Sequence, residues 1–287
     1  MGAMCWLAAV CERSSILRMF QKRSTTRQRK ILTWSDSLEK SLIAIPTAKR
    51  PELLALTLQC LRNISARPEV HIYADSVSES ALREIETVRD LYLPEAFLFR
   101  AAPHIKAPSG CWNILNSIKS ASKHAESVYL VEEDVLVYPY FFQWHQAQSA
   151  VASCGRYHYD TRWKFRHLYT NPGSCLRRPL LDALIPHICD EYFSDTRGYL
   201  DRTFGPWHEI THLDDGLVRN VMKANGWLPA YPEKPVCAHV GFRGYRSLHI
   251  YQNNETDLLK RIERAREIIS NPPEHQIWAK DWEPYQP

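Results

Sequence analysis

With 287 residues, 45% of them hydrophobic and 24% charged, the chain is an ordinary globular protein, long enough to bury a substantial core in one large α/β domain or two small ones. The net charge of +4 is concentrated in residues 1–30, where seven Lys and Arg face only Glu12, a local +6 that leaves −2 for the rest. No stretch approaches the roughly 18 apolar residues of a membrane span, and eight cysteines without a CxxC pair argue against a zinc site or a disulfide framework.

Residues 1–40 are expected to form a flexible basic arm that touches nucleic acid, an anionic membrane or nothing. The arm is rich in Arg and Ser and lacks a convincing secretory h-region. The chain is therefore expected to be soluble and intracellular, in cytoplasm or nucleus, with organelle targeting by the arm as the alternative. Ser41–Ile45 is a short apolar strand stopped by Pro46 and Thr47, and Pro51 opens a helix carrying Leu53, Leu54, Leu58 and Leu61 at helical spacing. Val70–Ala74 is a second strand, ending in Asp75. Glu79–Leu91 reads as a helix with Leu82, Ile85 and Val88 on one face, and Phe97–Phe99 as another strand. Cys111–Ala125 is a helix with Trp112, Leu115 and Ile118 inward, feeding the apolar strand Val128–Val131. Strands alternating with helices of this length predict a mainly parallel sheet built from βαβ units.

The second half is less regular. Helices are expected over Phe141–Val151, with Phe142 and Ala147 inward, over Arg178–Ile188, and over Asp214–Asn225, ended by Gly226. Asn171–Ser174 is a turn, and Tyr192–Pro206 is expected to be a surface loop. Leu258, Ile262, Ala265 and Ile269 mark a late amphipathic helix. The expected organisation is an arm over 1–40, a domain over 41–270 with halves 41–140 and 141–250, and a tail over 271–287.

One stretch carries chemistry openly. Glu132, Glu133 and Asp134 follow the strand Val128–Val131 and are followed at once by Val135-Leu136-Val137. Adjacent like charges between apolar runs repel and lose hydration, so something must compensate them. A hard divalent cation does so, taking carboxylate oxygens and leaving positions open for phosphates. The alternative is an acidic strand end facing water.

The order of features resembles the GT-A fold nucleotide-sugar glycosyltransferases. Ser41–Leu54 is similar to their opening strand, turn and helix, placing Pro46, Thr47 and Arg50 on the donor side. Asp75 matches the acid near the nucleoside, and Gly110 to Asn113 the segment before the metal strand. Glu132-Glu133-Asp134 resembles a variant of the DXD motif, Gly173 and Ser174 the acceptor loop, and Asp214-Asp215 the acidic pair that opens a helix. His239, followed by Arg243, resembles the C-terminal metal-binding histidine. The EED variant and the Asp-Asp pair look most like the inverting N-acetylglucosaminyltransferase that starts complex N-glycans, whose membrane anchor has no match here.

The resemblance implies an α/β fold of GT-A type, a mostly parallel Rossmann-like sheet flanked by helices with an irregular acceptor side. It implies Mn²⁺ or Mg²⁺ held by Asp134 and His239, a UDP-sugar donor, and Glu132 or Glu133 holding waters or ribose. It implies Arg243 near the phosphates and an inverting hexosyl transfer with Asp215 as base, beside Asp214, which caps the helix. On its own His239 is as readily a surface or core histidine. The aromatic second half suits a glycan acceptor. The basic arm, with Arg156, Arg162, Lys164, Arg166, Arg177 and Arg178, suits a hydroxymethylated base in DNA. Competing readings are a metal-dependent nucleotidyltransferase and a nucleic-acid-binding protein on a degenerate transferase fold.

Overall fold

The computed structural model describes residues 41–240 except 49, 65, 76–77, 102–108, 156–168, 207, 209–212 and 233–234, together with the helical residues 263, 266, 267, 269 and 270. Strand β1 (Ser41–Thr47) is apolar along its length and buried at every position. It can be so because parallel strands flank it on both sides: β2 (Glu69–Ala74), with Ile45 opposite Ile72, and β4 (Ser127–Leu130), with Ala44 opposite Leu130. The side-chain period of two then sends alternate residues to opposite faces. Ile43 and Ile45 join one core cluster with Tyr129 and Val131, whereas Leu42 and Ala44 join the other with Val128 and Leu130.

Helix α1 (Pro51–Arg62) starts with Pro at its first turn and buries Leu53, Leu54, Leu58 and Leu61 in the first cluster. Helix α2 (Glu79–Tyr92) covers the same face through Ile85, and its N-cap Ser78 accepts from the Ala81 N–H at 3.3 Å. Strand β3 (Phe97–Arg100) pairs parallel with β2. Helix α3 (Ser109–Ala121) crosses back on the opposite face, burying Leu115 and Ile118 in the second cluster, and delivers the chain into β4.

Among the described residues the sheet runs β3-β2-β1-β4-β7-β6, with β7 (Ser174–Arg177) antiparallel to β4 and β6 (Ala152–Cys154) antiparallel to β7. The chain winds outward from β1 to β3 and then returns to the other side of β1. The order therefore reverses between β1 and β4, and the connections leaving their carboxyl ends diverge. Such a reversal is where ligands bind in open α/β sheets, in the crevice beyond the carboxyl ends of the strands. A second ladder, β5 (Val135–Val137) with β8 (Cys237–His239), continues beyond it and sets His239 opposite Val135.

The α/β architecture and the mostly parallel sheet agree with the sequence reading, and several local expectations are corrected. The helix from Phe141 is α4 (Phe141–Ala147), ending four residues short of Val151. Gln148 turns extended, Ala147 is exposed, and the chain enters β6. Helix α3 spans Ser109–Ala121 rather than 111–125. The segment after β7 is α5 (Arg178–Leu184) followed by one 3-10 turn, Ile185–His187, because Pro186 has no N–H to continue the helix. The expected loop over 192–206 is largely helical, with α6 (Asp190–Ser194) and α7 (Thr196–Phe204). Asp195 caps α7 by accepting from the Gly198 N–H at 3.0 Å, and Tyr192, Phe193, Tyr199 and Leu200 are buried.

Helix α8 (Leu213–Ala224) buries Leu217, Val218, Val221 and Met222. It ends at Gly226, whose φ of +66° lets its N–H bond Lys223 O at 3.2 Å and the Trp227 N–H bond Met222 O at 2.9 Å. Ile269 of the late helical stretch packs half-buried on the first cluster; Leu258, Ile262 and Ala265 lie outside the described residues. None of the described helices is long and apolar enough to cross a membrane.

Candidate active site

The carboxyl end of β4 delivers Glu132, Glu133 and Asp134 into the crevice beside β1, and the three side chains part ways. Glu133 turns back toward the loop between β1 and α1. Its carboxylate accepts from Thr47 Oγ1 at 2.5 Å, the Ala48 N–H at 2.9 Å and Arg50 Nε at 2.6 Å, while its carbonyl accepts from Thr57 Oγ1 at 2.8 Å. Burial pushes its carboxyl above the usual carboxylate range, against the pull of Arg50. Glu133 ties the end of β4 to the β1–α1 turn.

Asp134 is 2% exposed. Arg50 Nη2 meets its Oδ2 at 2.9 Å. The β5–β8 ladder brings His239 Nε2 to 3.2 Å from Oδ1, within ion-pair distance, and that buried oxygen makes no well-formed hydrogen bond among the described residues. Burial raises the carboxyl, but His239 and Arg50 outweigh it and hold Asp134 well below the usual range. Glu132, half-buried, is pushed well above that range, first by burial and then by Asp134, Asp214 and Asp215. That coupling brings two acidic segments, 80 residues apart in sequence, into one electrostatic site.

Asp214 and Asp215 occupy the first turn of α8, where the helix dipole favours negative charge. Asn171 holds both: its N–H donates to Asp215 Oδ1 at 2.9 Å and its Nδ2 to Asp214 Oδ2 at 2.9 Å. Arg219, one turn along, lies 3.5 Å from Asp215 Oδ2 and also donates to Tyr169 O at 2.7 Å. Cys111 Sγ is 3.8 Å from Asp214 Oδ1. Sequence reasoning read Asn171 only as a turn residue and did not single out Arg219 or Thr57. The i, i+4 spacing of Asp215 and Arg219 on a helix was the available signal for one of them.

The remaining expected residues lie around this centre. Asp75, buried one residue past β2, donates its N–H to Thr47 O at 2.8 Å. Buried Asn113 straps the ends of β1 and β2, donating Nδ2 to Thr47 O at 3.2 Å and to Tyr73 O at 2.8 Å. Pro46 lies in β1 opposite Tyr73, and Gly110 is exposed at the start of α3. Gly173 has φ +64° with Cys237 Sγ against the space a Cβ would need, and Ser174 is fully buried, bonded to Tyr169 Oη at 2.7 Å. Arg243 lies outside the described residues. The structure thus brings Thr47, Arg50, Glu133, Asp134 and His239 into direct contact and couples them through Glu132 to Asp214 and Asp215. Among the described residues, Gly110, Gly173 and Ser174 take no part in the hydrogen bonds and ion pairs given above for that group.

No protein-family model matches the sequence, and no curated protein is similar to it. Several solved structures are. A mannosyltransferase from Pyrobaculum calidifontis, in complex with GDP-Man and Mn²⁺, is 15% identical with a TM-score of 0.48, covering 81% of this chain and 70% of its own. The galactosyltransferase LgtC, with donor and acceptor sugar analogues, is 11% identical at 0.49, covering 84% and 98%. Glucosyl-3-phosphoglycerate synthase from Mycobacterium tuberculosis, with Mn²⁺, UDP and glucosyl-3-phosphoglycerate, is 12% identical at 0.49, covering 80% and 82%. Likenesses at such identities and TM-scores carry no weight for the chemistry of this chain, which rests on its own residues.

The donor set bears on a metal directly. Among the described residues no three His, Cys, Asp or Glu side chains lie close enough to hold an ion by themselves. A buried carboxylate oxygen without a hydrogen bond, beside an imidazole nitrogen, is nevertheless a pair that fits Mn²⁺ and leaves most of the coordination open.

Proposed function

We propose that this chain is a metal-assisted glycosyltransferase that moves a sugar of glucose or N-acetylglucosamine type from a UDP-sugar to an acceptor hydroxyl with inversion. One observation carries the reading. The buried Asp134, with Arg50 and His239 against it, follows the carboxyl end of β4 beside β1, and its neighbour Glu132 feels the charge of Asp134 and of the Asp214–Asp215 pair on a different element.

The two halves of that site suit the two halves of the reaction. A diphosphate leaves with negative charge, and a divalent ion bound by Asp134 and His239 would neutralise it as a Lewis acid. Arg50 adds a permanent positive charge on the same side. Asp75 at the end of β2, with Pro46, Thr47, Gly110, Asn113, Glu132 and Glu133, would frame the nucleoside and sugar, and Arg243 the phosphates. Opposite them Asp215 is the base. It takes the proton of the acceptor hydroxyl as the oxygen bonds the anomeric carbon, and the bond to the diphosphate breaks with its electron pair leaving on UDP. The Asn171 N–H and Arg219 fix the orientation of Asp215, and its remaining lone pairs can receive that proton. Inversion needs the base on the face of the sugar opposite the leaving group, and a base on α8 with the leaving-group cations beside β1 and β4 would serve it.

Gly173 lies in the turn that would border the acceptor, and Ser174, which opens β7, is buried beneath it on Tyr169 rather than facing an acceptor. We favour a glycan over a hydroxymethylated base. Arg177 donates to His145 O and Gln148 O at 2.6 and 2.7 Å, and Arg178 to Ser122 O at 2.9 Å and to Ala125 O, so two members of the basic cluster serve the fold rather than phosphates.

The test is release of free nucleoside diphosphate from a panel of sugar nucleotides, with and without Mn²⁺, by the protein and its Asp134→Asn variant. Metal-dependent release from one donor, lost in the variant, is expected. No release from any donor, together with no calorimetric binding of donor or Mn²⁺, would end the transferase reading.

A further inference from the structure

We propose that Arg50 is an internal cation that occupies Asp134 before the donor arrives and makes divalent-cation binding conditional on the donor's diphosphate. The inference rests on the nucleotide-sugar reading and goes beyond it by giving the order in which the site fills.

Three observations and one electrostatic argument carry it. Arg50 Nη2 lies 2.9 Å from Asp134 Oδ2, so one of the two oxygens of the expected metal ligand is already committed to a positive charge. The other oxygen, Oδ1, faces His239 without a hydrogen bond. A carboxylate oxygen and an imidazole are therefore all that the described side chains offer an ion, too few to hold one alone. An incoming divalent cation would also meet the guanidinium charge within a few ångströms in a largely desolvated site, and like charges so placed repel.

Glu133 does not depend on Arg50 alone, since Thr47 Oγ1 and the Ala48 N–H hold its carboxylate as well. Arg50 can therefore let go of Asp134 without stranding both acids. Its side chain is 30% exposed, whereas those of Glu133 and Asp134 are 6% and 3% exposed. Arg50 is thus the member of this trio whose side chain is most open to a solute. A diphosphate supplies what is missing: oxygens that complete the coordination of the ion, and acceptors that match the planar fork of the guanidinium. As the diphosphate enters, Arg50 turns from Asp134 to phosphate and the cation takes its place.

The experiment is equilibrium dialysis of Mn²⁺ against the full-length protein, with no nucleotide and with UDP or GDP at equal concentration on both sides of the membrane. It is repeated for Arg50→Gln and Arg50→Lys, with circular dichroism and thermal melts to establish folding. The wild type is expected to retain Mn²⁺ at least about tenfold more tightly with one of the nucleotides than without, tenfold being the low end of what one neighbouring charge contributes. Without nucleotide, Arg50→Gln is expected to bind Mn²⁺ at least about tenfold more tightly than the wild type, and Arg50→Lys to stay near it. Equally tight binding by the wild type with and without nucleotide would overturn the proposal and leave the transferase reading intact, even if Arg50→Gln fails to fold. A folded Arg50→Gln protein no tighter than the wild type would overturn it too. No retention of Mn²⁺ under any condition would overturn the metal-assisted reading itself.

Discussion

At the scale of single residues, three adjacent acids have three different fates. Glu133 is an anchor, Asp134 faces His239 and Arg50, and Glu132 couples to the acids of α8. The sequence states that the charges need compensation but not which carboxylate turns which way, because that depends on how the chain leaves β4. The acids alone suggest a metal as counter-charge, whereas the cation in direct contact with them is Arg50. Two predictions belong here. Thr47→Val removes the 2.5 Å hydroxyl donor from buried Glu133 and should lower stability by about 1–3 kcal/mol, read from urea unfolding. Asp215→Asn should keep donor binding by calorimetry while transfer falls by about 10² or more, the loss expected on removing a general base. A fall in donor affinity of the same size would place Asp215 on the donor side instead.

At the scale of elements, the βαβ half was legible because each buried strand announces itself as an apolar run and each helix as a periodic one. β2, β3 and β4 with α1 and α2 fall within a residue of where the pattern puts them, whereas β1 runs on through Pro46 and Thr47, which were expected to stop it and instead pair with Tyr73 and Ala74. The second half was less legible for physical reasons. β6 is three residues long, α6 and α7 are too short to show a period, and Asn171 owes its role to a tertiary contact with α8 that no local pattern encodes. The turn at Gly173 was legible, but the reason for glycine was not: positive φ, and Cys237 Sγ filling the space of a Cβ. Gly173→Ala should therefore destabilise by at least about 1–3 kcal/mol from backbone strain alone, with the collision added, measured by thermal melting. In α1, Leu58 is fully buried, and Leu58→Ala should cost about 2–5 kcal/mol.

At the scale of the molecule, stability and activity should answer pH separately. His145 is fully buried, 2.7 Å from Ser153 Oγ and packed against Phe141 and Trp144, and burial lowers its pKa to about 3. The unfolded chain then binds a proton there that the folded chain refuses. Stability from this group is fully present above about pH 6.5 and is lost as pH falls toward 3, with a slope of up to about 1.4 kcal/mol per pH unit. His145→Gln should flatten the acid limb of the stability curve between those limits; an unchanged limb would mean that His145 is not the group responsible. The claim on which everything else depends is that the β1/β4 crevice, with Asp134 and His239 at its floor, is the donor site. Crystals grown with Mn²⁺ and a UDP-sugar test it most directly, through the anomalous signal of the metal. A Mn²⁺ peak at coordination distance from Asp134 and His239, with the diphosphate against it, is the predicted result. A nucleotide or metal bound elsewhere, with Asp134 still held by Arg50, would contradict it.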